Sequence, residues 1–223
     1  MQVIPVINCS SFECVKKRLA QIGEIGSEWI HIDISDGKFA PAETWNKQEE
    51  FSKLLATTYN LQPNIQPNIE IHLMVQNPET VVESWLQVGV KRIIVHLESF
   101  RDREEKLSSI FEMCAGRDAE VMLAINPETP AEEFFPYLDS LLFVQILAVS
   151  PGPAGQKFNE SVIQKIEVLR ERAPDVAIEV DGGMNPETAR LVRSAGADII
   201  ASGSYIFDSE KPAAAYETLL NLE

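Results

Sequence analysis

The sequence predicts a closed (β/α)8 barrel that forms one domain over residues 1–223. Three observations predict it: eight short β-branched runs recur, longer segments of helical periodicity lie between them, and no Pro/Gly/Ser-rich linker divides the chain. Strands that alternate with helices need crossover connections, so the sheet is expected to be parallel. Eight repeats in 223 residues suit a barrel better than an open, doubly wound sheet.

Each element is predicted from its own pattern. Short apolar or alternating runs bounded by turn residues predict the strands. These runs span residues 2–8, 29–34, 69–75, 92–98, 120–126, 141–149, 176–182 and 197–203. Helical spacing and start signals such as N-P-E-T predict helices at 11–22, 78–88, 102–113, 161–172 and 186–194. The prolines and asparagines of 57–68 predict an extended loop before the third strand.

Charge and cysteine content narrow the class of protein. The formal charge of -15 repels nucleic acids and anionic membranes, so neither is expected as a partner. The sequence shows neither a secretory signal pattern nor a long apolar run, and no membrane span is expected. Cys9, Cys14 and Cys114 lack a CxxC spacing. They predict a reduced, cytoplasmic chain without a disulfide framework.

Polar side chains lie late in several predicted strands, where the active sites of barrels assemble. The set includes all three histidines of the chain. Because buried ionisable groups need partners, we expect these side chains to converge. The set is His31, Asp33, His72, His96, Glu98 and Asp181.

Four members of this set form a candidate site for a divalent metal. Two imidazoles and two carboxylates suit Zn, Mn, Fe or Co, and the residue types do not choose among these ions. The four residues are His31, Asp33, His72 and Asp181. The alternative is a hydrogen-bonded polar layer that holds no metal. His96 and Glu98 either support the ligands or cap the fourth strand.

The loops after the last three strands are rich in small residues. They read VSPGPAGQKF, DGGMNPET and SGSYIF. Small residues let backbone N–H groups approach an anion closely, and barrels often hold a phosphate after strands 7 and 8. The sequence therefore predicts a phosphate cradle beside the metal candidate.

A metal and a phosphate cradle together suit proton transfer on a sugar phosphate. A metal can stabilise the enediolate that forms when a carbon beside a carbonyl loses its proton. Asp33 and Asp181 come from separate strands. One could remove a proton from one face of the intermediate while the other returns a proton to the opposite face, which inverts a stereocentre.

Several ordered motifs make the chain resemble the ribulose-phosphate 3-epimerase family from end to end. They are WIHIDISDGKFAP, IHLMVQNPE, INPETP, SPGPAGQKF, EVDGGMN and SGSYIF. The resemblance implies a TIM barrel of the ribulose-phosphate-binding type with one divalent metal. It also implies that Asp33 and Asp181 are the two acid/base groups, which interconvert D-ribulose 5-phosphate and D-xylulose 5-phosphate. A cytoplasmic homo-oligomer that acts in the pentose phosphate pathway is expected.

The resemblance also implies the residues that contact the substrate. They are Cys9, His72, Met74, Gly152, Pro153, Ala154, Gly155, Gly182, Gly183, Gly203 and Ser204. The chain departs from the family pattern at several of these places and near them. Cys9 stands where the family has a serine, Ser35 and Leu147 replace methionines, and Ala154 replaces a glycine. Asp36 and Gly37 are predicted to form a turn.

Three alternatives accompany this prediction. A hexulose 6-phosphate such as allulose 6-phosphate is the close variant of the substrate. A non-catalytic paralogue that binds a sugar phosphate is the second alternative, suggested by the departures. A lyase is the third, and it commonly needs a lysine near the reacting carbon. Lys91, Lys106 and Lys157 do not lie at a strand end that could supply one.

Overall fold

The computed structural model describes residues 1–59, 67–100 and 102–222. Eight strands pair in chain order, all parallel, and β8 closes the barrel against β1. The predicted barrel is therefore confirmed. The strands are β1 (Gln2–Ile7), β2 (Trp29–Ser35), β3 (Asn68–Met74), β4 (Arg92–His96), β5 (Glu120–Ile125), β6 (Phe143–Leu147), β7 (Ala177–Asp181) and β8 (Ile199–Ser202).

Helices cover the outside of the barrel. They are α1 (Phe12–Ile25), α2 (Gln48–Tyr59), α3 (Val82–Leu86), α4 (Arg103–Ala115), α5 (Val162–Arg172), α6 (Pro186–Ala195), α7 (Ser204–Phe207) and α8 (Pro212–Leu220). A 3₁₀ segment, Ala131–Ser140, connects β5 to β6. Within the described ranges, no helix has both the length and the apolar character that a membrane crossing needs.

Local sequence explains where the main helices begin and end. The Ser11 side chain accepts a hydrogen bond from the Cys14 N–H at the start of α1. Gly26 ends that helix with φ 72°, a left-handed conformation that glycine adopts without strain. Asn185 and Thr188 form a reciprocal capping box at the start of α6. These caps fix the directions in which the chain leaves β1 and β7.

Strand alternation separates the outer core from the interior of the barrel. Ile30, Ile32 and Ile34 of β2 are buried in the large apolar core that the helices share. His31 and Asp33 occupy the alternate positions, which point into the barrel. In the register of β2 with β3, Asp33 lies opposite His72. The pairing therefore places the polar groups of neighbouring strands at the same height.

Two predicted boundaries are wrong. The loop predicted at 57–68 begins too early, because α2 continues through Tyr59, and it ends too late, because β3 begins at Asn68. Residues 60–66 of that prediction lie outside the described residues. The single helix predicted at 78–88 is a 3₁₀ turn, Pro78–Thr80, followed by α3. The proline at position 78 starts this tight turn because its φ is already fixed.

The prediction of a chain without a disulfide is wrong as well. Cys9 and Cys14 form a disulfide, with their Cα atoms 5.7 Å apart. Cys9 follows β1 and Cys14 lies in the first turn of α1, so the tight connection between these elements brings the two thiols together. Spacing arguments based on CxxC do not detect such a pair. Cys114 is free and buried, and burial raises its pKa to about 12.

Candidate active site

Four buried side chains meet at the C-terminal end of the barrel, and we call them the upper cluster. They are His31, Asp33, His72 and Asp181. One ligand atom from each lies within 4.8 Å of the others. The Nε2 atom of His31 and the Nδ1 atom of His72 lie 3.1 and 3.0 Å from the same oxygen, Asp33 Oδ1. Asp181 Oδ2 lies 3.6 Å from His72 Nδ1. The structure thus brings together all four residues of the predicted metal set.

The electrostatics of the upper cluster favour positive charge between its carboxylates. Burial lowers the pKa of His31, but hydrogen bonds and charges from Asp33 and Glu70 outweigh burial and raise that pKa well above 6.5. The pKa of His72 is also raised, because hydrogen bonds from Asp181 and Asp33 outweigh its burial. Both histidines in turn hold the pKa of Asp33 far below its usual value, against the effect of burial. Protons on the two histidines therefore supply the positive charge that a bound metal cation could supply in their place.

The donor set of the upper cluster fits a divalent metal. Its nitrogen and oxygen atoms are those that Zn, Mn, Fe and Co accept, and all four residues are buried. His31 Nε2, His72 Nδ1 and the two carboxylates would hold the ion. The His31 Nδ1 atom lies 2.7 Å from Glu70 Oε1, and this contact fixes the orientation of the ring.

His96 and Glu98 lie behind His72, where they support it. The rings of His72 and His96 stack, and their Nε2 atoms are 2.8 Å apart. His96 Nδ1 lies 3.4 Å from Glu98 Oε2. The other oxygen of Glu98 accepts hydrogen bonds from the Asn126 N–H and the Thr129 hydroxyl. Burial raises the pKa of Glu98, but the contact with His96, followed by the hydrogen bonds from Asn126 and Thr129, lowers it to about 2.

A second polar group fills the barrel beneath the upper cluster, and we call it the lower layer. It consists of Glu70, Arg92, Gln145 and Glu179. Arg92 Nη1 donates to Glu70 Oε2 at 2.7 Å, and its guanidinium lies over the rings of Trp29 and Phe143. Gln145 Nε2 donates to Glu179 Oε1 at 2.9 Å. Burial, and after it the charge of Glu70, raise the pKa of Glu179 well above its usual value and so favour the neutral form of this carboxyl.

A cleft opens above the upper cluster, and Asp33 and Asp181 reach its wall. The loops after β6, β7 and β8 form the other side. Their lining residues include Gly152, Pro153, Ala154, Gly155, Gly182, Gly183, Gly203 and Ser204. Gly182 and Gly183 have φ values of 102° and 69°, and a Cβ would lie 2.6 Å from Val149 or 2.8 Å from Phe158. Only glycine lets the backbone lie this close to the neighbouring loop.

Comparison with known proteins identifies the family. The profile of the Ribulose-phosphate 3 epimerase family matches residues 2–207. The cytoplasmic isoform of ribulose-phosphate 3-epimerase from Oryza sativa subsp. japonica is 31% identical over 214 residues, which cover 95% of this chain and 89% of that protein. Ribulose-phosphate 3-epimerase from Chlamydia pneumoniae is 34% identical over 225 residues, covering 97% and 92%. The chain belongs to the ribulose-phosphate 3-epimerase family. It is an isomerase that acts on carbohydrate.

Solved structures confirm the barrel of this epimerase-family chain. The 3-hexulose-6-phosphate synthase from Salmonella typhimurium superposes with a TM-score of 0.71. The superposition covers 100% of this chain and 98% of that one, at 12% sequence identity. At such low identity the likeness shows the fold alone. No lysine is found among the described residues that line the cleft, in contrast to what the lyase alternative commonly requires.

Among the family departures, Ser35 and Leu147 have different surroundings. Ser35 is buried, and its hydroxyl donates to the Ala42 carbonyl, so its polarity is satisfied within the protein. Leu147 and Met74 both line the cleft. Asp36 forms the predicted turn, since its Oδ1 accepts from the N–H groups of Lys38 and Phe39. Leu147 thus lines the cleft at a position where the resemblance implies a methionine, whereas the Ser35 hydroxyl is bonded within the protein.

Cys9, predicted as a substrate contact, lies apart from the cleft wall in the structure. Cys9 is 4% exposed, packs in the apolar core and is bonded to Cys14, and it is not among the residues that line the cleft. The side chain of the preceding residue, Asn8, lines the cleft instead. Alternation along β1 explains why Asn8 and not Cys9 lines the cleft, because the side chains of neighbouring residues at a strand end point to opposite sides.

Asn8 and Arg18 are among the cleft-lining residues of this epimerase-family site that were not predicted. Asn8 Nδ2 donates to Asp33 Oδ2 at 2.8 Å. Arg18 is the one cationic side chain among the described residues of the cleft wall, and it donates to the Phe207 carbonyl and to Asp208. An arginine in the middle of a helix carries no signal that separates it from a solvated one. Period-two alternation through Val6 and Asn8 was the available signal for Asn8.

Proposed function

We propose that the protein is a metal-dependent epimerase that inverts C3 of D-ribulose 5-phosphate to give D-xylulose 5-phosphate. The observation that carries this proposal is the presence of two carboxylates, Asp33 and Asp181, in one buried cluster at the cleft. They come from β2 and β7, which β1 and β8 separate around the barrel. Two carboxylates that reach a substrate from different sides suit inversion of a stereocentre. We further propose that the single domain formed by residues 1–223 carries the reaction.

In this proposal the two aspartates exchange protons with C3. One carboxylate removes the C3 proton and leaves a planar enediolate, and the other delivers a proton to the opposite face. The low pKa of Asp33, held by His31 and His72, supports its role as the group that is ionised before the reaction. In the reverse direction the two residues exchange roles, because the reaction runs through the same intermediate.

A divalent metal, when bound by the upper cluster, supplies positive charge that stabilises the oxygens of the enediolate. His31 and His72 hold Asp33 Oδ1 from two directions, which keeps that carboxylate in one orientation. The stacked His96 restricts the ring of His72. Pre-organised groups of this kind do not have to rearrange when charge develops on the substrate.

The phosphate end of the substrate would lie against the three glycine-containing loops. Backbone N–H groups there can approach an anion, and Arg18 lines the same cleft with a positive charge. Met74 and Leu147 would contact the carbon chain between the two ends. Holding both ends keeps the reacting carbon beside the carboxylates, and such positioning accounts for much of the rate of an enzyme.

Turnover in heavy water tests the proposal. Purified protein is supplied with Zn, Mn, Fe or Co, one at a time. It is given D-ribulose 5-phosphate or, in a separate reaction, allulose 6-phosphate while NMR follows product and deuterium. We expect D-xylulose 5-phosphate with deuterium at C3. The absence of both would contradict the epimerase and favour the non-catalytic paralogue. Turnover of allulose 6-phosphate alone would indicate that the substrate is a hexulose phosphate. Cleavage of a C–C bond would favour the lyase.

Two further expectations of this function stay predictions from the sequence. They are a homo-oligomeric state and a cytoplasmic location. Sedimentation of the purified protein would test the first, and fractionation of the source cells would test the second.

A further inference from the structure

Asn8 connects the two ends of the cleft through one amide group. Its Nδ2 atom donates to Asp33 Oδ2 at 2.8 Å and to the Gly152 carbonyl at 3.1 Å. Both partners are acceptors, so only the nitrogen of the amide can satisfy them. The chemistry of the partners therefore determines which way the side chain faces.

The contact with Asn8 completes the hydrogen bonding of the Asp33 carboxylate. The Oδ1 atom is held by His31 and His72, whereas the Oδ2 atom is held by Asn8. Because Asp33 is only 6% exposed, loss of the amide would leave Oδ2 without this donor in a largely buried position. The plane of the carboxylate, and hence the direction of its lone pairs, depends on both sets of contacts.

The contact with Gly152 reaches the loop that would hold the phosphate. Gly152 has a φ of 138°, and a Cβ there would lie 3.3 Å from Pro41. The loop conformation at this point is therefore available to glycine and closed to most other residues. The amide of Asn8 thus joins the group that would move the proton to the loop that would hold the other end of the substrate.

We propose that Asn8 is a positioning residue that fixes the orientation of Asp33 relative to the phosphate loop. This inference rests on the proposed function, since Asp33 matters here as an acid/base and metal ligand. If Asn8 only filled space, its loss would affect folding alone. Leucine, which is close to asparagine in size, would then replace it without loss of rate. A positioning residue affects turnover and metal binding even when the fold is intact.

The test compares Asn8→Leu and Asn8→Asp with wild type and with Asn221→Leu, a control at an exposed residue just after α8. The readouts are kcat and KM at saturating metal, the Co²⁺ affinity of the metal-free protein against a chelator, and thermal unfolding. For Asn8→Leu we expect kcat to fall by about 10- to 100-fold with KM changed less than about threefold. We expect its Co²⁺ affinity to fall by about tenfold.

Asn8→Asp should lower kcat further than Asn8→Leu, because it places a second carboxylate against Asp33 Oδ2 and the Gly152 carbonyl. The proposal is overturned if Asn8→Leu keeps both kcat and Co²⁺ affinity within about threefold of wild type, or if its loss lies wholly in KM. Wild type without any turnover would contradict the proposed function instead. The Co²⁺ affinities of the variants would then still decide whether Asn8 positions Asp33.

Discussion

The upper cluster and the lower layer each contain two buried carboxylates, but different neighbours balance the charge of these carboxylates in the two groups. In the lower layer, the charge of Glu70 is matched by Arg92, and burial beside Glu70 raises the pKa of Glu179 and favours its neutral form. In the upper cluster, two carboxylates converge on two histidines whose pKa values are raised, and both carboxylates reach a cleft. His31 of the upper cluster connects the two groups, because its two ring nitrogens contact Glu70 and Asp33.

The difference shows how function can be separated from stability in a polar barrel interior. A buried charge with a permanent partner contributes to the fold, and removing that partner destabilises the protein. A buried cluster whose charge is balanced by exchangeable protons, and which opens to a cleft, can exchange them for a metal and a substrate. We therefore expect substitutions in the upper cluster to reduce activity and those in the lower layer to reduce stability.

The largest effect is expected in the upper cluster. Asp33→Asn and Asp181→Asn keep the size of each side chain but remove its capacity to accept a proton. Each should lower kcat by about 10²- to 10⁴-fold, measured with saturating metal. Asp175→Asn, on an exposed loop, is the control and should retain wild-type rate. Near-normal turnover by either active-site variant would show that the two-carboxylate mechanism is wrong.

A substitution in the lower layer should lower the free energy of unfolding. Arg92→Met removes the partner of Glu70 and the cation that lies over Trp29 and Phe143. We expect the free energy of unfolding of the metal-free protein to fall by about 3–5 kcal/mol, measured with urea. Lys91→Met, which removes an exposed ion pair with Asp118, should cost no more than about 1 kcal/mol. Equal losses in the two variants would remove the distinction between the buried and exposed pairs.

The contribution of Glu98, which contacts the His96 that supports His72, should make the stability of the protein depend on pH. The Glu98 pKa of about 2 lies below the usual 4.5, so its stabilising contribution is present above pH 4.5 and is lost as pH falls through about 2. Glu98→Gln should therefore reduce the free energy of unfolding by about 2–3 kcal/mol at pH 7. The difference from wild type should shrink below pH 4.5. A difference that stays the same from pH 7 to pH 3 would contradict this assignment.

The smallest effect is expected at the disulfide, which closes a short loop. Cys14→Ser should lower the free energy of unfolding by at most about 2 kcal/mol, since loop closure entropy grows with loop length. Wild type treated with a reductant should match the variant, whereas the reductant should leave the variant unchanged. If the reductant does not affect wild type, the Cys9–Cys14 bond does not contribute to stability.

Much of this architecture could be predicted from the sequence, because alternation is a local property. The pattern of β2 separates Ile30, Ile32 and Ile34 from His31 and Asp33, and the structure places the two groups on opposite faces. The parallel sheet follows from the helices between strands. Convergence of the four polar residues follows from one rule, that sites of barrels lie at the C-terminal ends of strands.

The features that could not be predicted depend on how strands pair. Glu70 and Arg92 form an ion pair because β3 and β4 align them, and a sequence does not state that register. Asn8 contacts Asp33 across the β1–β2 pair, and only the folded loop brings Gly152 to the same amide. A pattern within one segment cannot show a contact whose partners come from three separate segments.

Metal content tests the comparison most directly. Each protein is saturated with Co²⁺, freed of loosely bound ions by gel filtration, and analysed for metal per chain. We expect about one ion in wild type and in Arg92→Met, and almost none in His72→Leu, because His72 is a proposed ligand and Arg92 is not. Wild type without bound metal, or His72→Leu with a full equivalent, would contradict the proposed metal site.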